Sequence, residues 1–124
     1  MYVRLRGWMA SLAILCSLVG CSSSNNKGKI EGTTWTSLPQ LIQGQPAADG
    51  FLSISFGADR TFSYKIGDST LTGKYSIGSG DKVTLFYDKP VAKKTKHVHT
   101  FKVREQELEM TDEEGNVRKF RKSS

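Results

Sequence analysis

The feature that most constrains the fold is a series of short runs, from Phe51 to the C-terminus, in which apolar and polar residues alternate. In the first run Leu52, Ile54 and Phe56 alternate with serines, and turn residues such as Gly, Asp and Ser separate the later runs. A period of two places the apolar side chains on one face of a strand. The pattern therefore predicts antiparallel strands joined by tight turns. The further inward residues are predicted to be Phe62, Tyr64, Ile66, Leu71, Gly73, Tyr75, Ile77, Val83, Leu85, Tyr87, Phe101, Val103, Leu108, Met110 and Phe120.

An opening strand around Trp35 brings the predicted number of strands to about eight, in simple up-and-down order. A sheet with one apolar face must curl up or close, because an open sheet leaves that face and two edges exposed. Eight strands form a barrel that holds its own side chains or one small ligand. We therefore expect an all-β fold, an antiparallel meander that closes into a small barrel over residues 30–124. Pro90 is expected to end its strand, and one short helical turn is expected within residues 37–45.

The first 20 residues have a different composition from the rest. Arg4 and Arg6 precede the uncharged stretch from Gly7 to Gly20, and a basic region followed by a short apolar region is typical of a secretory signal. A transmembrane helix would need about 20 apolar residues, and this stretch is shorter. We interpret residues 1–20 as a signal peptide. Its removal leaves 16 of the 18 basic residues against 12 acidic ones, a net charge of +4 that does not indicate nucleic-acid binding.

The signal ends in Leu18-Val19-Gly20-Cys21, which resembles the lipobox of bacterial lipoproteins. The resemblance implies that the Cys21 thiol is acylated by diacylglycerol and that Cys21 becomes the first residue after cleavage. Two or more acyl chains hold a protein stably on a membrane, whereas one gives marginal binding. In enteric members of this class an aspartate after the cysteine favours retention at the inner membrane. Ser22 stands there in this chain, so the resemblance favours the outer membrane, facing the periplasm.

Residues 21–29 contain Ser, Asn, Gly and Lys with no apolar residue after Cys21. Such a composition predicts a flexible tether between the membrane and the folded part. Cys16 leaves with the signal peptide, so the mature chain has no second cysteine. We therefore predict neither a disulfide nor a thiolate metal site.

A further resemblance concerns the folded part. The pattern is a Trp near the first strand, Phe-x-x-Asp before the next, a Gly-x-Tyr-x-Ile strand and a final Leu-x-Met-x-Asp hairpin, carried here by Trp35, Phe56 with Asp59, residues 73–77 and residues 108–115. It resembles the small lipocalin-like domains of an uncharacterised family of bacterial lipoproteins. The resemblance implies a lipocalin-like barrel with no catalytic residues. True lipocalins open with Gly-x-Trp and carry a helix beside the barrel, whereas this chain has Gly32-Thr33-Thr34-Trp35 and no evident helix, which argues against a roomy calyx.

Two basic segments, residues 93–97 and 118–122, suggest a surface for anionic partners. Strand register favours a different interpretation, in which outward acidic residues of one strand lie between outward basic residues of its two neighbours. Opposite charges across strands stabilise a sheet by about 0.2–1 kcal/mol each and leave little net field. Lys93 and Lys94, in the loop before the strand of residues 95–104, are predicted to be unpaired. They would attract anionic headgroups or polysaccharide with a binding free energy of about 1 kcal/mol per residue. The predicted ladder consists of Lys96, Lys102, Arg104, Glu107, Glu109, Lys119 and Arg121.

His97 and His99 are the only residues with metal chemistry in their favour, because residues two apart on a strand share one face and imidazole binds zinc or copper. A hairpin register with residue numbers summing to about 184 sets His97 opposite Tyr87 and His99 opposite Leu85. In the following hairpin His99 lies opposite Asp112. One interpretation is a metal site formed by His97, His99 and Asp112, with Tyr87 beside it. The other, which we favour, is hydrogen-bonded polar residues where the core meets solvent.

Little in the chain indicates catalysis. No Gly-x-Ser-x-Gly elbow occurs, the adjacent carboxylates Glu113 and Glu114 are predicted in an exposed turn, and no glycine-rich loop joins a strand to a helix. We therefore predict no enzymatic activity, no cofactor and no nucleic-acid partner.

Two functional hypotheses follow from this. The leading one is a membrane-anchored binding or structural module for an unknown ligand, such as a small apolar molecule. The alternative is an envelope protein-interaction module, an inhibitor or assembly accessory, that acts through its loops. A filled core would favour the second, and a cavity of a few hundred Å³ with polar groups the first.

Overall fold

The computed structural model describes residues 23–124, and this part of the chain consists of β-strands without a helix. None of the described residues therefore forms a helix long and apolar enough to span a membrane. The predicted signal peptide and Cys21 lie outside the described residues. The strands are β1 (Thr33–Ser37), β2 (Gln40–Ile42), β3 (Gln45–Ala47), β4 (Leu52–Phe56), β5 (Thr61–Ile66), β6 (Ser69–Ile77), β7 (Lys82–Val91), β8 (Lys94–Arg104), β9 (Glu107–Thr111) and β10 (Val117–Lys122).

Eight of these strands form one closed antiparallel barrel, in the order β1-β10-β9-β8-β7-β6-β5-β4. The barrel closes because β1 pairs with β4 on one side and with β10 on the other. Every second residue of β1 and β4 is buried, so each strand has one face in the core. Closing the sheet covers this apolar face and leaves no free edge. The predicted all-β, lipocalin-like barrel is thus confirmed.

Aromatic side chains fill the middle of the barrel. The Phe56 ring packs edge to face against Tyr75, at a centroid distance of 5.1 Å, and against Phe101, at 5.6 Å. Such pairs add about 0.5–1.5 kcal/mol to the burial of the rings. All the aromatic residues predicted to point inward are buried, namely Trp35, Phe56, Phe62, Tyr64, Tyr75, Tyr87, Phe101 and Phe120.

Gly73, the one glycine among the predicted inward residues, leaves no room for a ligand. A Cβ atom at this position would lie 2.0 Å from the Phe86 carbonyl oxygen and 2.9 Å from Cε1 of Phe62. The missing side chain therefore lets β6 and β7 approach each other closely, while the ring of its cross-strand partner Phe62 covers the glycine.

Two local predictions are wrong. The expected helical turn in residues 37–45 is instead the β2–β3 hairpin, which turns at Gln43 and Gly44, both with positive φ. The strand around Pro90 does not end there but continues to Val91, because the register shifts between Phe86 and Val91. Proline is tolerated in such an irregular stretch, since the ladder does not require its missing N–H group.

The described part of the predicted tether, residues 23–29, packs against the barrel instead of extending freely. Asn26 and Ile30 are fully buried, and Ser24 bridges to Gly80 in the β6–β7 turn. Ile30 belongs to the hydrophobic core, so the folded domain starts before this residue in the chain. The segment has too few apolar residues to show this by pattern, but backbone hydrogen bonds to a neighbouring turn hold it.

Candidate functional site

The barrel has two ends that differ in construction. We call the end covered by residues 23–32, together with the β4–β5, β6–β7 and β8–β9 turns, the N-terminal end. The opposite end, which carries the β2–β3 hairpin and the β5–β6, β7–β8 and β9–β10 connections, is the hairpin end. His97, Asp112 and the cleft described next lie at the hairpin end, whereas His99 is the central residue of β8.

A cleft of about 460 Å³ lies between the β2–β3 hairpin and the barrel. It exists because the hairpin leans across the end of the barrel, tied to β10 by the side chain of Gln40. The Gln40 amide donates to the Lys119 carbonyl at 2.8 Å and accepts from the Lys119 N–H at 2.9 Å. The apolar walls of the cleft include Ile42, Pro46, Phe51, Leu52 and Ile66.

Two polar side chains join these walls, Tyr64 and Arg118. Tyr64 is only 7% exposed, and burial, followed by the nearby Tyr87 and Asp112, raises its pKa against the opposing charge of Arg118. The phenol is therefore neutral and can donate a hydrogen bond. Arg118 donates to its neighbouring Val117 carbonyl at 3.2 Å, and no carboxylate of residues 23–124 lies within 4 Å of its guanidinium. The cleft thus combines apolar walls with one cation that has no acidic partner.

The register that was expected to bring the histidines to Tyr87 and Leu85 is wrong. His97 lies opposite Leu85 and His99 opposite Val83. The β8–β9 register is confirmed, with Phe101 opposite Met110. Tyr87 and His97 are still in contact, because their rings meet edge to face at a centroid distance of 5.3 Å across the diagonal.

His97 is bound by the turn that precedes it. Its Nε2 atom is 2.8 Å from the Val91 carbonyl oxygen and 3.1 Å from that of Lys94, so the ring donates there. Its Nδ1 atom lies 3.9 Å from a carboxylate oxygen of Glu113. The same Glu113 accepts a hydrogen bond from Lys94 at 2.7 Å, so the prediction that Lys94 is unpaired is wrong.

His99 is buried, with 8% of its surface exposed, and neither ring nitrogen has a hydrogen-bond partner. Burial lowers the pKa of His99, whereas Asp112 and the Thr111 backbone raise it. The Thr111 backbone is close to the ring but forms no hydrogen bond of ordinary geometry with it. The imidazole is therefore held neutral in an apolar setting.

Asp112 organises the β9–β10 turn. Its carboxylate accepts hydrogen bonds from the backbone N–H groups of Glu114 and Asn116, both at 2.9 Å, and from the Asn116 amide at 3.0 Å. Burial opposes but does not cancel these bonds, which lower the pKa of Asp112.

The candidate metal residues His97, His99 and Asp112 thus have three separate environments. Among residues 23–124, no group of three or more His, Cys, Asp or Glu side chains is arranged to hold a metal ion.

The charge ladder has the predicted register. Glu109 lies between Lys102 and Lys119, and Glu107 lies between Arg104 and Arg121. Arg121 also forms a bidentate pair with Asp49 in the β3–β4 connection. Alternating charge on adjacent strands indicates a solvated outer wall.

Comparison with known proteins identifies no relative, since no family model, curated protein or solved structure matches the chain. Sequence reasoning missed the cleft, because β2 and β3 lack the alternation that marks the barrel strands and Arg118 belongs to a run interpreted as solvated. The apolar pair Leu41-Ile42 just before Gln43-Gly44 was the available signal for this hairpin.

Proposed function

We propose that the chain is an exported lipoprotein, anchored through acylated Cys21 to the periplasmic face of the outer membrane. Its lipocalin-like barrel then acts as a non-enzymatic binding module for a small apolar ligand with a negatively charged group. The observation that carries the binding proposal is the cleft at the hairpin end, with its apolar walls and the unpaired Arg118.

The cleft suits an amphipathic anion for two reasons. Transfer of apolar surface from water is favourable by about 25 cal/mol per Å², so a chain or ring lying along Ile42, Phe51 and Ile66 is bound. A carboxylate or sulfonate near Arg118 gains a charge-assisted hydrogen bond, and the neutral Tyr64 hydroxyl can donate a second one. Because the barrel below is filled by aromatic rings, the ligand lies at the barrel mouth and not in an interior calyx.

The binding proposal is tested with 1-anilinonaphthalene-8-sulfonate, an apolar anion whose fluorescence rises in apolar surroundings, and with decanoate as a competitor. Arg118→Gln is expected to weaken probe binding about tenfold, the loss of about 1.5 kcal/mol expected when one charge-assisted hydrogen bond is removed. Arg104→Gln, which removes the same charge from the outer wall, is the matched control and leaves binding unchanged. Equal affinities for wild type and Arg118→Gln would contradict the assignment of the cleft.

The anchoring proposal is supported by the signal-like residues 1–20 and by the lipobox-like position of Cys21. Replacing Cys21 by alanine is expected to release the protein from the membrane fraction of the cells that make it. Mass spectrometry of the wild-type protein from envelopes should show the diacylglycerol addition. A Cys21→Ala protein that stays in membranes would refute anchoring through this residue.

The alternative function, a module for binding an envelope protein, is supported by a different observation. Large apolar side chains are exposed at the hairpin end, with Leu41 at 66% and Val117 at 41%. The filled core of the barrel also favours this alternative. Leu41→Ser removes exposed apolar surface without changing the cleft walls, so it should abolish capture of an envelope protein by cross-linking while probe binding persists. If Leu41→Ser leaves cross-linking unchanged, the alternative is wrong.

A further inference from the structure

The beginning of the described chain is pinned to the N-terminal end of the barrel. The Asn25 N–H donates to the Gly80 carbonyl at 2.9 Å, and the Gly80 N–H donates to the Ser23 carbonyl at 3.2 Å. The Asn25 side-chain amide also donates to Asp81 at 2.8 Å. The chain is therefore fixed on the β6–β7 turn from its first described residue onward.

This pinning shortens the connection to any lipid on Cys21. Cys21 precedes Ser23 by two residues, and two residues span at most about 7 Å. A flexible tether of nine residues would instead have an average end-to-end distance of about 16 Å. If Cys21 is acylated, the N-terminal end of the barrel is therefore held within about 7 Å of the lipid attachment point.

The surface next to that attachment point carries exposed positive charge. Lys27 and Lys29 are exposed, while Asn26 and Ile30 beside them are buried, so the backbone that carries the lysines is held against the barrel. The acidic residue of the same segment, Glu31, is occupied: it accepts from the Gly28 N–H at 2.8 Å and lies 3.8 Å from the Arg60 guanidinium.

We infer that the N-terminal end of the barrel is a membrane-docking surface that binds anionic lipid headgroups through Lys27 and Lys29 and directs the hairpin end away from the bilayer. This inference rests on the acylation of Cys21 proposed above. β8 runs from the hairpin end to the N-terminal end, and 11 residues tilted as in a small barrel rise about 25 Å along its axis. The cleft therefore opens into the aqueous compartment, about 25 Å from the headgroups.

Orientation is tested on the mature chain from Cys21, with the thiol linked chemically to a maleimide phospholipid. The linked, ¹⁵N-labelled protein is placed in nanodiscs of phosphatidylethanolamine and phosphatidylglycerol that contain a gadolinium-chelate lipid. Amides of Gly28 and Gly80 are expected to broaden strongly, whereas those of Gly67 and Gly115 at the hairpin end stay sharp. Comparable broadening at both ends would overturn the inference. Because the anchor is attached chemically, this result does not depend on the natural acylation, which the Cys21→Ala fractionation tests separately.

The contribution of the two lysines is tested with the unlinked mature chain and vesicles that contain phosphatidylglycerol. Neutralising both, in Lys27→Gln/Lys29→Gln, is expected to weaken vesicle binding about 25-fold, since one lysine near an anionic surface contributes about fivefold. The matched control Lys65→Gln/Lys89→Gln removes two exposed charges elsewhere and changes binding by less than about threefold. Equal losses in both double variants would show that only net charge matters and would refute the docking surface.

Discussion

The two ends of the barrel are built from the same strands but are covered in opposite ways. The segment that covers the N-terminal end inserts Ile30 and Asn26 into the interior, so both are fully buried. The β2–β3 hairpin covers the other end and buries no residue fully, and its Leu41 points to solvent. One end is therefore part of the core, and the other is an attached flap with a cleft beneath it.

This difference separates stability from binding. Residues buried at the N-terminal end contribute hydrophobic free energy to folding. The hairpin end differs in that its cleft holds the unpaired cation Arg118 among apolar walls. Buried polar groups without hydrogen-bond partners occur in both parts of the barrel, at Asn26 Nδ2 and at the two ring nitrogens of His99. Polar groups that lack partners in a buried or half-buried setting are common where a protein binds something.

The largest expected contrast between the ends comes from truncating one apolar residue at each. Ile30→Ala should lower the free energy of unfolding by about 2–5 kcal/mol, because it leaves a cavity in the core. Leu41→Ala at the hairpin end should change it by less than about 0.5 kcal/mol. Urea unfolding followed by the fluorescence of Trp35 measures both. If the two variants lose similar stability, the distinction between core and flap is wrong.

The second contrast is in pH dependence. Burial holds the pKa of His99 below its ordinary value of 6.5, so below that pH the unfolded chain takes up a proton that the folded chain does not. The free energy of unfolding therefore decreases as the pH falls from 6.5 toward the folded-state pKa of His99, by at most about 1.4 kcal/mol per pH unit. The charged and titratable groups around the ring are Asp112, Glu113 and His97, and the first two oppose the effect.

His99→Leu removes this titration and the two unpaired nitrogens. We expect the variant to be at least as stable as wild type at pH 7.5 and to lose less stability between pH 7 and pH 5, as measured by urea unfolding at each pH. His97→Gln removes the neighbouring imidazole, which also helps to lower the pKa of His99, and is expected to reduce the loss of stability less than His99→Leu does. An unchanged slope in His99→Leu would show that the acid sensitivity arises elsewhere.

The third contrast concerns the attachment of the hairpin. Gln40→Ala removes both hydrogen bonds between the Gln40 amide and the Lys119 backbone, at a cost of about 1 kcal/mol. Hydrogen exchange of the β2–β3 amides should become about fivefold faster, while exchange at Asn25 and Gly80 stays the same. Acceleration at both ends would show that the hairpin is coupled to global unfolding and is not a separate flap.

The sequence predicted the wall of the barrel far better than its ends. Alternation in β1 and β4 is strict, because each of these strands has one face in the core and one in solvent. The structure of the ends depends on hydrogen bonds that leave no periodic pattern in the sequence. Examples are the backbone bond from Asn25 to Gly80 and the bonds between the Gln40 side-chain amide and the Lys119 backbone in β10.

The candidate site was only partly predictable for the same reason. His97 and Asp112 do lie at one end of the barrel, as the order of strands implies, whereas His99 lies in the middle of β8. Their geometry depends on the irregularity between Phe86 and Val91, which shifts the β7–β8 register and cannot be counted from residue numbers. The place of Arg118 in a cleft could not be predicted, because the cleft is formed by the β2–β3 hairpin, which the sequence pattern did not indicate.

The smallest contrast is in the turns. Ala92 and Lys93 connect β7 to β8 at the hairpin end, and both adopt positive φ, at 51° and 72°, a region that is unfavourable for residues with a Cβ atom. Lys93→Gly should therefore raise the free energy of unfolding by about 0.5–1 kcal/mol. Lys93→Ala, the matched control, removes the same charge but keeps the unfavourable φ and should give no such gain in urea unfolding. If both variants gain equally, the strain of this turn is not the cause, and the relief of charge repulsion among Lys93, Lys94 and Lys96 explains the effect instead.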